Sequence, residues 1–182
     1  MKTTLLSSYD NSWYKPDRNA FVRAIWYCCN AAYFKSSFPF MGFKRMLLRL
    51  FGAAIGKGVV IKPGVNIKYP WNLFIGNYCW IGENVWIDSL GKVVIGNNVC
   101  ISQGAFLLTG NHDYKKSSFD LIVRPITIED GVWIGAKAIV CPGVTCSSHS
   151  VLSVNSVAVS DLEKNSIFQG NPAQKVRERT ID

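Results

Sequence analysis

The stretch Ile128–Val157 repeats every six residues: IEDGVW, IGAKAI, VCPGVT, CSSHSV, LSVNSV. The first place of each hexad is mostly Ile, Val or Leu. The fifth is small or β-branched: Val132, Ala138, Val144, Ser150 and Ser156. Neither helical nor simple strand periodicity produces a period of six, whereas a parallel β-helix does. Each hexad supplies a short strand and a turn. One apolar side chain points into a narrow interior, and the small one packs at the corner. Three hexads close a triangular coil, and stacked coils pair strand to strand. A lone coil cannot bury its inward residues, so several must stack.

The same frame runs back towards the N-terminus. It sets inward positions in five triplets: Ile55, Ile61, Ile67; Ile75, Ile81, Ile87; Ile95, Ile101, Leu107; Ile128, Ile134, Val140; Cys146, Leu152, Ala158. The frame slips only between triplets, at Lys68–Phe74, Asp88–Val94 and Leu108–Thr127, so every insertion leaves from one corner of the prism. The expected fold is therefore all-β, a parallel β-helix of about five coils spanning residues 55–182. Residues 1–54 form an extension ahead of it, and residues 108–127 protrude as a long loop. Long loops inside compact repeats are usually functional.

The extension carries most of the charge. Residues 1–57 hold nine Lys and Arg against Asp10 and Asp17, and the rest hold eleven against ten. The basic pI of about 9.3 thus says little about the repeat domain. Phe21–Phe34 is apolar and aromatic but too short for a comfortable bilayer span. Phe43–Phe51 reads as a short helix, with Lys44, Arg45 and Arg49 set against Met46, Leu47, Leu50 and Phe51. Two readings fit: a cap on the open end of the solenoid, and an interfacial anchor that pairs basic charge with Trp26, Tyr27 and Phe34. No nucleic-acid module accompanies the basic segment. At the other end, Ile167–Gly170 reads as a return strand, and Asn171–Pro172 as the start of a C-terminal helix, since Asn caps and Pro suits a first turn.

The six cysteines include no CxxC pair, and no cleavable signal peptide opens the chain. They read as small hydrophobes in a reducing cytosol. The frame places Cys146 inward and Cys79 and Cys100 at small fifth places.

The chemistry centres on His112, within GNHDY in the long loop. An imidazole is the usual general base near neutral pH. Its second nitrogen needs an orienting partner. Asp113, Glu83, Asp88 or a backbone carbonyl could serve. His149 falls on a turn and reads as an exposed corner residue.

The repeat, the His in the single long loop, and the runs LLRLFGAAIGKGVVIKPGVNIKYPW, PITIEDGVWIGAKAIVCPGVT and QGNPAQKVRER resemble the left-handed β-helix, hexapeptide-repeat acyltransferases. Within them the chain is most similar to the colanic acid biosynthesis acetyltransferases. The resemblance implies a left-handed coil, which the spacing alone does not give. It implies acetyl-CoA as co-substrate and His112 as base for an attacking sugar hydroxyl in exopolysaccharide synthesis. Acetylation of a soluble amine or alcohol, such as a nucleotide sugar or an antibiotic, is the alternative. Coenzyme A contacts fall on Trp133, Ala136, Val154, Ser160, Lys175 and Arg177, and acceptor contacts on Gly82, Asp88, Asn111 and Asp113. Where some relatives carry an acceptor-holding Asn this chain has Gly82. Where a Thr-Lys pair is frequent it has Val159–Ser160. A homotrimer with sites between neighbouring prisms is implied, in the cytoplasm or peripherally at the inner face of the membrane, where a lipid-linked acceptor would be found. No metal is expected: a three-His zinc site needs more histidines than His112 and His149.

Overall fold

The structure, a computed structural model, describes residues 3–181; of the N-terminal cations counted above, Lys2 lies outside them. Short parallel strands stack into three faces of a prism. The first face runs through Ile55, Ile75, Ile95, Ile128 and Cys146. The second carries Ile61, Ile81, Ile101, Ile134 and Leu152, and the third Ile67, Ile87, Leu107, Val140 and Ala158. Each residue pairs in register with its counterpart one coil away, so the inward side chains form three apolar ladders. All are buried except Ile55, at the open first coil, which is half-buried. The fifth-place residues are buried as well, Val59, Cys79, Val99, Ala105 and Ser150 among them. The parallel β-helix is thus present, with its five coils and the start of a sixth. Leu162 bridges Cys146, and Ser166–Gly170 pairs in parallel with Val151–Leu152.

Four readings are corrected. The segment after Asn171 is not a helix. Ala173–Glu178 is a strand, antiparallel to Ser166–Gly170. The last strand of the second face would otherwise present an unpaired edge, and a hairpin back along it satisfies that edge as a local helix could not. Ser166–Gly170 is itself the continuation of the solenoid rather than a return strand. Cys100 occupies a sixth place, not a fifth. It lies on the outer side of the second face between Trp80 and Trp133, half-exposed. All six cysteines are free, and burial pushes the Cys146 thiol up to about 12.

The fourth correction concerns the polarity of the second helix. The helices are α1, Ala20–Cys29, continued by a wider turn to Phe34, and α2, Met41–Leu50. In α2 Lys44 is fully buried beside Leu47 and Leu48, while Met46 and Leu50 are exposed. The reason lies in the first coil. Its downward-facing carbonyls have no preceding coil to pair with, and donors from the extension supply the missing partners. Arg49 donates to Ile55 O at 2.8 Å, Arg45 to Val59 O at 2.7 Å, Lys44 to Lys62 O at 3.3 Å, and Trp26 Nε1 to Ile67 O at 2.8 Å. Asn30 Oδ1 accepts from Ile67 N. Burial holds the Lys44 amine below its ordinary value, and the Phe34 ring lies 5.8 Å from its charge.

Trp26→Phe keeps an aromatic ring but leaves the buried Ile67 carbonyl without its donor. The variant is expected to lose about 1–3 kcal/mol of stability, read as a lower urea midpoint, with the coenzyme A affinity unchanged.

Candidate active site

The loop after the third face of the third coil folds into a hairpin. Gly110–His112 pairs antiparallel with Leu121–Val123, and His112 stands opposite Leu121. The hairpin tip is closed by Asp113 N donating to Asp120 O and by a 3.0 Å ion pair between Lys116 and Asp120. Phe119, with a positive φ of 52°, turns its carbonyl back onto His112. The ring Nδ1 lies 2.9 Å from that oxygen. A carbonyl can only accept, so Nδ1 carries the proton and Nε2 presents a lone pair. The Phe119 ring stacks on the imidazole, with centroids 4.4 Å apart and planes 7° from parallel. The ring is therefore fixed in both tautomer and orientation. Of the four orienting partners open in the sequence, the backbone carbonyl is the one found.

The N-terminal segment folds over this hairpin. Leu5 N donates to Ser117 O, and the Tyr9 ring lies 5.6 Å from that of His112. Tyr14 donates to Leu90 O at 2.8 Å, and burial raises its phenol above the usual range, so the proton stays. His112 consequently lies between two grooves. One, of about 490 Å³, runs under Tyr9, Asn11 and Tyr14 towards Arg23, Lys68 and Tyr69. The other, of about 550 Å³, is lined by Asn111, Asp113, Arg124, Cys141 and Val159.

Asp88 is buried behind the start of the second insertion and lies 3.2 Å from the Lys68 ammonium. It lines neither groove. Asp113 points its carboxylate at Lys115 N, and the Asn111 side chain accepts from His112 N. Gly82 is elsewhere, at the corner between second and third faces. A Cβ there would stand 2.6 Å from Gln103 N, so the backbone above it enforces glycine.

That corner is where the cofactor candidates gather. Trp133, Ala136, Val154 and Arg177 line one groove of about 650 Å³ with Gln103 and Arg179. Trp133 is half-exposed and donates to Ser102 Oγ at 2.9 Å, which sets its ring against the wall. Lys175 does not join them. It is held by Glu163 at 2.8 Å and Glu178 at 2.6 Å. Ser160 lies on the His112 side of the prism, next to Val159. Arg179, one residue past the strand Ala173–Glu178, was not singled out in the sequence; it lines the groove beside Arg177. Tyr9, Tyr14 and Arg23 carried no sequence signal either, because their place at the site comes from the path of the N-terminal segment.

His112 rises from the corner between third and first faces, and the Trp133 groove occupies the second face and its other corner. One chain thus holds the base and the groove on different corners of one prism.

No protein-family model matches the chain. It is 40% identical over 162 residues to WcaF of Escherichia coli strain K12, assigned by its name to colanic acid biosynthesis as an acetyltransferase; the match covers 88% of this chain and 89% of that one. It is 32% identical to the galactoside O-acetyltransferase of the same organism, over 74% of this chain and 68% of the other. Among solved structures, a hexapeptide-repeat acetyltransferase of Vibrio cholerae complexed with acetyl-coenzyme A superposes with a TM-score of 0.79 at 25% identity, over 88% of each chain. The hexad ladder, the histidine hairpin and these relatives together show that the chain belongs to the hexapeptide-repeat acetyltransferases.

Proposed function

We propose that the protein transfers the acetyl group of acetyl-CoA to a sugar hydroxyl in exopolysaccharide synthesis, with His112 as general base. The observation that carries this is the 2.9 Å contact from His112 Nδ1 to Phe119 O, which leaves Nε2 free to accept a proton. The hydroxyl oxygen attacks the thioester carbonyl as Nε2 takes its proton. The tetrahedral intermediate then collapses, the carbon–sulfur bond breaks, and coenzyme A leaves as the thiol when the imidazolium returns the proton. Trp133, Ala136, Val154 and Arg177 form the groove for coenzyme A. Lys175, held by two carboxylates, is not assigned a part in it, nor is Gly82 given an acceptor contact. The sugar-directed reading draws on the names of the two relatives in E. coli.

His112→Ala is expected to lower kcat by roughly 10²–10⁴-fold while coenzyme A binding and the thermal midpoint stay near the parent values. Near-parent turnover in the purified variant would remove His112 from the mechanism.

The reading includes a homotrimer, which the placement of base and groove on different corners supports. Stacking prisms side by side brings the His112 corner of one against the Trp133 face of the next, as neither does alone. His112→Ala and Val154→Trp are each expected to be inactive as pure assemblies. Refolding them together should restore turnover, because some interfaces then pair an intact histidine with an intact groove. No recovery in mixed assemblies would place the whole site within one chain.

The extension also supports a peripheral membrane role for which one observation speaks. Among the described residues no helix is long and apolar enough to cross a membrane. Yet Phe21, Ile25 and Cys28 form an exposed apolar stripe on α1, with Tyr27 beside it. Such a stripe with basic neighbours suits the headgroup boundary. Phe21→Ser with Ile25→Ser in the full chain is expected to abolish co-flotation with anionic vesicles. Equal flotation of parent and variant, or none by the parent, would confine the extension to the end of the solenoid.

A further inference from the structure

The groove under Tyr9 and Tyr14 does not stop beside His112. Its lining shares Arg23, Lys68 and Tyr69 with a hollow of about 450 Å³ between α1 and the third face. This hollow adds Lys35 and the rings of Tyr27 and Trp86. The two linings together carry three cationic side chains and no carboxylate. A concave wall of one sign concentrates ligands of the other.

Arg23 is the most informative member. Its Nε is buried with no hydrogen-bond partner. Its guanidinium forms no ion pair among the described residues. A buried donor left unmatched on a permanent cation is costly, and the planar fork of a guanidinium matches phosphate oxygens. Lys68 is half satisfied. Its ammonium lies 3.2 Å from Asp88 Oδ1, but 41% of the side chain remains exposed and the ammonium has further donors to give. Asp88 is outside both linings, although its charge, like that of Asp17, is felt by Tyr14 in the groove.

We propose that the acceptor sugar arrives as a phosphate ester, its phosphate or diphosphate held by Arg23 and Lys68 while a sugar hydroxyl reaches His112 Nε2. This rests on the acetyl-transfer reading above and adds the chemical class of its acceptor. The bond made and the bond broken are those already written; the phosphate is bound, not cleaved.

The anion site is tested first without catalysis. Inorganic pyrophosphate is titrated by calorimetry into the full-length protein saturated with coenzyme A, so that the nucleotide end of the cofactor fills its own groove. Binding is expected, weakened roughly tenfold or more by Arg23→Gln and again by Lys68→Gln, and not by Lys164→Gln. Acetyl transfer is then compared among a free sugar, a nucleoside diphosphate sugar and a polyprenyl diphosphate sugar. A phosphorylated acceptor is expected to lead the free sugar by roughly tenfold or more in kcat/KM, with the gain in KM and lost in Arg23→Gln. Which phosphorylated arm is faster names the source of the phosphate. Absence of pyrophosphate binding together with equal use of free and phosphorylated sugars would overturn the proposal and leave acetyl transfer standing. Pyrophosphate binding with no acetylation of any sugar would keep the anion site and overturn the sugar-acetylation reading instead.

Discussion

The strands of each coil meet their backbone hydrogen bonds in the coils above and below, while a few corner bonds such as Ala138 N to Gly135 O stay within a coil. Gly56 N donates to Ile75 O, Gly76 N to Ile95 O, and Gly96 N to Ile128 O, and the same relay runs along the other two faces. The stack is therefore satisfied in its middle and unsatisfied at both ends. Buried backbone groups without partners are rare because they cost as much as a lost hydrogen bond. That requirement shapes everything outside the hexads. At the C-terminal end the chain doubles back as the hairpin strand Ala173–Glu178. At the N-terminal end no strand is available, and side chains of α1 and α2 supply donors one at a time. The burial of Lys44 is intelligible only in this light. A cation is taken out of water because a row of carbonyls needs donors, and the Phe34 ring and the Lys62 carbonyl partly replace its hydration.

The same stacking confines chemical variety to one corner. A residue added within a hexad would turn the ladder out of register on all coils above it. An insertion between triplets leaves the ladder intact, and all three occur between third and first faces. The third insertion is long enough to make its own hairpin, whose antiparallel pairing holds His112 clear of the prism. The imidazole is then held by local contacts: a carbonyl on Nδ1 and a ring stacked at 4.4 Å. The coils themselves contribute a flat groove walled by Trp133 at a different corner. On the proposed reading, division of the site between a loop on one corner and a face on another would make transfer depend on contact between prisms.

The inward ladder could be read from the sequence because one side chain in six answers to a single physical demand, burial in a narrow interior. His112 could be read because it is a titratable group in the one long interruption of that period. The C-terminal strand could not. Asn171–Pro172 is a good helix start on local grounds, but the open edge of the last coil is a tertiary fact, and it prevailed over propensity. Lys44 was misread for the same reason: on an isolated helix its charge marks the solvent face, whereas here the helix lies against unpaired carbonyls. Cys100 was misplaced by one position in its hexad, enough to move it from corner to outer face. The partner of His112 was out of reach because a backbone carbonyl leaves no trace in residue identity.

The cluster of positive charge in the first 57 residues also takes on a different meaning once the bonds are known. As a sequence it fitted either an end cap or a basic interfacial anchor. In the fold Lys44, Arg45 and Arg49 are committed to carbonyls of the first coil. Each keeps its charge, but its donors are taken up by structure. Arg23 and Lys35 are not so committed, and both turn towards the hollow that reaches His112. With Lys68 from the first insertion they give the hollow along the third face a positive wall. An anionic acceptor guided by that field would approach the base from the side of α1, opposite the groove that Asp113, Arg124 and Val159 line. The extension therefore does two things: it closes the open end of the coil stack and it lines one side of the hollow that reaches His112.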